Sequence, residues 1–260
     1  MSVFAGPNLP SNGLQVLLDW GNPKCYPGSG TTFTNLVTSS RNDGYLKNNV
    51  SYLSANGGVL NTGGSVSSTA NDVGDRIDIN TSQGGIDRFS KTDNFSFVFW
   101  NYLISGSGRI WSTGSAGAGT GISDNCIWNM YINSGGFFWW NSGGGGTNAI
   151  SASFNGTKIT GVWQLVGITY SSNESGNNVL RLWINGTNVG TGSISSATHD
   201  AIDRTGQTNM QWTLGGGYSS SCVNSATENR FGPFYLYNRA ITQLEMQTLF
   251  IADKSRFEIN

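Results

Sequence analysis

Glu174, Glu228, Glu245 and Glu258 are the only glutamates in the chain. Retaining glycoside hydrolysis needs two carboxyl groups about 5 Å apart. On a strand, two such groups share a face only at even spacing, and no glutamate stands two or four residues from an aspartate. Asp75 and Asp78 are three apart and fall on opposite faces. His199, in Thr198-His-Asp-Ala, is the sole histidine, which excludes a multi-histidine metal site. A Ser-His-Asp hydrolase would need an activated serine, and Gly-x-Ser-x-Gly is absent. The chain reads as non-enzymatic.

The aromatics are the richer signal. Trp and Tyr rings match the flat apolar C–H faces of sugars. Phe137-Phe-Trp-Trp140 puts Phe137 and Trp139 on one face of a strand, and Phe138 and Trp140 on the other. One pair must leave a sheet-on-sheet core. Three uses are open to it: a sugar platform on the concave sheet, a second core under a helix, or a subunit interface. Trp183 and Arg181 likewise point opposite to Leu180, Leu182 and Ile184.

These residues need strands to hold them, and the composition supplies strands. Of 260 residues, 37 are glycine, 12% are aromatic and only 11% are charged, with a net charge of −1. The aromatic content excludes a disordered chain. Scarce Ala, Glu, Lys and Leu exclude a helical bundle. Without a basic field there is nothing to neutralise phosphates, so nucleic acid is not an expected partner. An all-β protein with many tight turns fits.

Gly13–Trp20, Asp75–Ile79, Arg109–Ser112, Val162–Tyr170, Asn209–Leu214 and Phe231–Tyr237 read as strands. The strongest runs from Asn94 to Ile104. Phe95, Phe97 and Phe99 line one face; Val98, Trp100, Tyr102 and Ile104 line the other, so both faces must be covered. Asn133-Ser-Gly-Gly136 and Asn185-Gly186 are hairpin turns. A helix is expected over about 242–253. Thr242-Gln-Leu-Glu245 is a capping box, Ile241 and Met246 a staple, and Leu244, Leu249 and Phe250 a stripe for docking. Residues 1–12 read as a polar arm and 13–260 as one domain.

Three blocks carry a resemblance. They are Gly161-Val-Trp-Gln-Leu-Val-Gly-Ile-Thr-Tyr170, Leu180-Arg-Leu-Trp-Ile-Asn-Gly186, and Arg230-Phe-Gly-Pro-Phe-Tyr-Leu-Tyr-Asn-Arg-Ala-Ile-Thr-Gln-Leu-Glu-Met246. Together they resemble the laminin-G-like, concanavalin A-like lectin/glucanase superfamily. The opening, Leu14-Gln-Val-Leu-Leu-Asp-Trp-Gly-Asn-Pro-Lys-Cys-Tyr-Pro-Gly-Ser-Gly-Thr-Thr32, is similar to that of such domains in tailed-phage, including cyanophage, structural proteins. The resemblance implies an antiparallel two-sheet jelly-roll sandwich, first and last strands paired, with one short C-terminal helix beneath. Glucanases of this fold carry Glu-x-Asp-x-Glu on one strand, and the chain has no such run. Many laminin-G-like domains bind calcium through Asp and carbonyl oxygens. Asp72, Asp75, Asp200 and Asp203, all in turn-rich segments, are the corresponding candidates, set against ordinary Asx-turn chemistry.

The start lacks a secretory signal and no apolar run approaches the ~18 residues of a membrane span. Cys25, Cys126 and Cys222 have neither zinc spacing nor a CxxC pair and read as free thiols. The expectation is a non-enzymatic virion protein, made in a host cytoplasm and exposed on the particle. It would serve as capsid decoration or as a fibre or tail accessory, possessing a glycan-binding face for host attachment in a second version of the same reading. A lectin-type adhesin and, behind it, a glycoside hydrolase are the alternatives. Unburied aromatics on the 94–104 strand and the 126–140 hairpin lead one to expect a homo-oligomer, or a capsid or fibre partner, with Trp139 or Trp140 as anchor.

Overall fold

The computed structural model describes residues 8–37, 43–63, 75–80, 92–115, 126–133, 136–141, 150–153, 159–196, 210–215 and 227–259. In chain order the strands begin with β1 (Leu14–Leu18), β2 (Thr32–Phe33), β3 (Gly44–Lys47), β4 (Ser51–Leu53), β5 (Val59–Thr62) and β6 (Arg76–Asn80). The middle of the chain supplies β7 (Phe95–Gly106), β8 (Gly108–Ser115), β9 (Cys126–Asn133), β10 (Gly136–Asn141) and β11 (Ser151–Ser153). Then come β12 (Trp163–Glu174), β13 (Asn177–Ile184), β14 (Thr187–Ser195), β15 (Met210–Leu214), β16 (Thr227–Tyr237) and the helix α1 (Gln243–Asp253).

Two antiparallel sheets form a jelly-roll sandwich. The first has the order β14-β13-β12-β7-β16-β5-β4, with β1 also on β16; the second runs β11-β10-β9-β8-β15-β6-β3-β2. The first and last strands do pair. β16 shares its outer edge between two partners, β5 at Asn229–Phe231 and β1 at Phe234–Tyr237. Pro233 stands at the changeover, where the register against β7 also shifts; a residue without an N–H belongs at such a break. The β13–β14 turn is Asn185-Gly186 with φ of 50° and 79°, the positive pair that the dipeptide selects.

The apolar runs on both faces of β7 are explained by two cores. Between the sheets, Phe95, Phe97 and Phe99 stack along the strand at 6.4 Å spacings. Trp111 stacks on Phe97 at 4.1 Å, and Trp212 meets Trp111 edge-on at 5.2 Å. On the opposite face, Val98, Trp100, Trp163, Trp183, Tyr235 and Tyr237 are buried with Met246, Leu249 and Phe257. Trp100 lies 4.3 Å from Phe257 and 5.8 Å from Phe250. The outer face of the 94–104 strand is therefore covered by α1, by the 3₁₀ turn Lys254–Phe257, and by Leu9, Leu14 and Leu17 at its margin. The expected apolar surface on that strand is absent because the chain's own two ends close over it.

The capping box forms in full. Glu245 N donates to Thr242 Oγ1 at 3.3 Å, and Thr242 N donates to Glu245 Oε2 at 2.8 Å. The docking stripe differs from the expected one. Met246 and Leu249 are buried and Phe250 half-buried, whereas Leu244 is 72% exposed. At about 100° per residue, Leu244 lies roughly 140° round the helix from Leu249 and cannot share its face. Behind the helix, Arg256 ties the two ends together. Its guanidinium donates to the carbonyls of Asn56, Gly57 and Gly58 and to Asp19 Oδ1, the last at 2.8 Å. Gly21 makes that closeness possible, since a Cβ there would lie 1.6 Å from the Gly57 carbonyl oxygen.

Candidate functional site

Among the described residues no helix lies behind the second sheet, and its outer face carries a polar row. Successive register partners run Thr32, Tyr45, Asp78, Thr213, Ser112, Asn129, Trp140 and Ser151 across all eight strands. The next row, Leu46, Ile77, Leu214, Trp111, Met130, position 139 and Ala152, faces the inter-sheet core. Antiparallel partners share a face. At the level of the backbone, position 139 pairs with Met130 and Ala152, and position 140 with Asn129 and Ser151.

The middle of the outward row is satisfied internally. Arg76 Nε donates to Asp78 Oδ1 at 2.7 Å, with both side chains almost closed to solvent. Burial pushes the Asp78 carboxyl above the usual carboxylate range, and Arg76 and Lys47 oppose the shift. Ser112 Oγ and Thr213 Oγ1 are 2.7 Å apart in one hydrogen bond. These pairs stiffen the face. At one end of the row Tyr45 keeps 44% of its surface exposed, with the Lys47 ammonium 5.5 Å from its ring centre. At the other end the exposed Ser151 stands beside position 140. Ser112 and Thr213 are closed to solvent, so the groups a sugar ring can stack on or hydrogen-bond to are the Tyr45 ring, the Lys47 ammonium and the exposed hydroxyls of Thr32 and Ser151 toward the two ends. Among the described residues, the ladder neighbours of Asp78 on this face are Tyr45 and Thr213, and Arg76 precedes it on its own strand.

The sequence-derived candidates are placed as follows. Trp183 is 5% exposed in the second core, and its indole N–H donates to Thr169 Oγ1 at 3.0 Å. Its ring has no face free for a sugar, because α1 docks over it. Arg181 is held by Glu174, Nη1 to Oε2 at 3.0 Å, and this bond lowers the Glu174 carboxyl below its ordinary value. The side chains of Trp139 and Trp140 lie outside what the structure describes. Asp75, the one described residue of the proposed calcium set, accepts from Asn49 N at 2.9 Å and from Gly63 N at 3.1 Å. Both its oxygens are thus engaged by backbone donors from distant segments, so Asp75 ties loops together and does not close an Asx turn. Asp72, Asp200, Asp203 and His199 lie outside the described residues. Among the described residues no group of three or more His, Cys, Asp and Glu side chains gathers. Cys25 is a buried free thiol, pushed up to about 12 by burial.

Tyr45, Lys47, Arg76 and the Ser112–Thr213 pair escape a reading of the sequence. The signal available was Arg76-Ile-Asp-Ile79, charges alternating with isoleucines inside a sheet, which marks a polar outer face but not which residues meet there.

Neither a family model nor a curated protein matches the chain. Solved structures do match in fold. The type G botulinum neurotoxin receptor binding domain aligns at TM-score 0.57 and 14% identity, over 92% of this chain and 51% of that one. The receptor binding domain of a botulinum neurotoxin C/D mosaic serotype gives 0.59 and 15%, over 92% and 51%. Trypanosoma rangeli sialidase in complex with the inhibitor DANA gives 0.61 and 15%, over 98% and 36%. The chain spans about half or a third of the length of these proteins, and at this identity they share its fold.

Proposed function

We propose that the protein is a non-catalytic carbohydrate-binding module that recognises a receptor glycan through the outer face of its second sheet. The observation that carries this reading is the exposed Tyr45 ring with its Lys47 ammonium, set at the end of a rigid polar row whose far end is position Trp140. Two of the structures that share the fold are named as receptor binding domains, and a third belongs to a sialidase bound to an inhibitor. Among the described residues the ladder partners of Asp78 are Tyr45 and Thr213, not a second acid, which supports binding over hydrolysis. The resemblance of the Leu14–Thr32 opening to tailed-phage structural proteins supports a place on a virion, as capsid decoration or as a fibre or tail accessory.

A glycan array tests the first part. The wild-type chain should bind a defined subset of glycans, and Tyr45→Ala and Trp140→Ala should each lose it while melting normally. Equal binding by both variants would refute the site. Mass spectrometry of purified particles tests the virion placement. A polysaccharide panel should release no reducing sugar; release abolished by Asp78→Asn would make the protein a hydrolase.

A further inference from the structure

On the first sheet, one outward row escapes the helix. It runs Trp163, Tyr102, Arg230, Asn61 and Ser51 across β12, β7, β16, β5 and β4. Trp163 closes the edge of the second core, 4.4 Å from Phe257, and Tyr102 leans on it at 5.4 Å. The Arg230 guanidinium lies 5.2 Å from the Tyr102 ring centre and is half-buried.

Arg230 differs from four other arginines of the described residues. Arg76, Arg181, Arg239 and Arg256 each hold a carboxylate, from Asp78, Glu174, Glu245 and Asp19. Among the described residues the Arg230 side chain has no hydrogen-bond or ion-pair partner; its Nε is shut off from solvent, and so is the unpaired Oδ1 of Asn61, its ladder partner. The nearest outward acid on its own strand, Glu228, accepts from Ser105 Oγ at 3.4 Å instead. A partly desolvated cation with no counter-charge is costly to keep. Here the cation lies over the face of the Tyr102 ring, and its planar fork matches a planar oxyanion. A side-chain amide beside it can turn its NH₂ toward the same anion.

We infer that Arg230, steadied by Tyr102 and flanked by Asn61, is a binding site for the carboxylate of an acidic sugar, on the face opposite to the Tyr45 row. The choice of a sugar rests on the carbohydrate reading above. The two fail separately, because Tyr45 and Arg230 stand on different sheets.

Titration calorimetry with an oligogalacturonate, a neutral oligosaccharide of equal length, an Asp/Glu peptide and sodium acetate tests it. The oligogalacturonate should bind the full chain, and Arg230→Gln should weaken it by about tenfold or more, the worth of a lost charge-assisted bidentate contact. Arg230→Lys should recover only part, since a point charge cannot match the fork. Leu244→Ala, an exposed position in neither candidate site, should leave this affinity unchanged. Arg230→Gln should also melt no lower than wild type, because it removes an uncompensated charge. Unchanged oligogalacturonate affinity in Arg230→Gln overturns the proposal, as does an equal loss in Arg181→Gln, which would mean diffuse charge attraction. Tighter binding of the peptide or of acetate than of the oligogalacturonate overturns the assignment to a sugar.

Discussion

The two sheets solve the problem of an outer face in opposite ways. The first has a face rich in Trp and Tyr, and the chain folds its helix, 3₁₀ turn and N-terminal leucines over it as a second core. The second bears charged and hydroxyl side chains outward, which pair along one strand at Arg76–Asp78 and across strands at Ser112–Thr213. Apolar area is stabilised simply by leaving water, at about 25 cal/mol per Å², with no demand on direction. Polar groups leave water without loss only when each finds a partner in good geometry. The first face should therefore respond to volume, and the second to pairing.

The largest effect should come from the first face. Trp100→Ala removes a fully buried ring from between β7, Phe250 and Phe257. It should cost about 4 kcal/mol in denaturant unfolding, the range for a large aromatic replaced by Ala. A cost below about 1 kcal/mol would mean that the helix cover is loose and that the expected apolar surface exists after all.

On the second face, Asp78→Ala should cost about 3 kcal/mol by leaving Arg76 buried without its carboxylate. The double change Asp78→Leu with Arg76→Met should recover most of that loss, since replacing both partners avoids the stranded charge. If the single and double variants unfold alike, pairing is not what governs this face.

The helix that separates the two faces offers a smaller, pH-dependent test. Arg239, and then the Thr242 amide, hold the Glu245 carboxyl down at about 2, from an ordinary value of 4.5. Because the folded value is depressed, the contribution is complete above pH 4.5 and disappears as pH falls through about 2. Glu245→Gln should thus lower the melting temperature at neutral pH and converge with wild type near the acid end. Thr242→Ala should cost about 1 kcal/mol through the lost N-cap; an unchanged melting temperature would show that packing alone holds the helix.

The smallest effect is predicted at Leu244. Its exposed position should make Leu244→Ala neutral within about 0.5 kcal/mol, whereas Leu249→Ala should cost about 2–5 kcal/mol. Equal costs would mean that the helix docks on the other stripe.

Much of this architecture is local information. Alternation in 94–104 shows that β7 is covered twice, Asn185-Gly186 carries its turn in its own φ preferences, and Thr242 with Glu245 builds its cap from four consecutive residues. Such features depend on backbone geometry within a few residues, so their residue types suffice to establish them. The rotation of α1 was not legible, because Leu244 and Leu249 are equally apolar and only the shape of the second core chooses between them. The candidate sites were less legible still. Tyr45, Asp78, Thr213, Ser112 and position 140 come from five separate strands, and Arg230, Tyr102 and Asn61 from three. Nothing in the chain order states which strands lie side by side. Strand order and register, set by which rings fill the two cores, brought those side chains into rows and left Arg230 without a partner among the described residues.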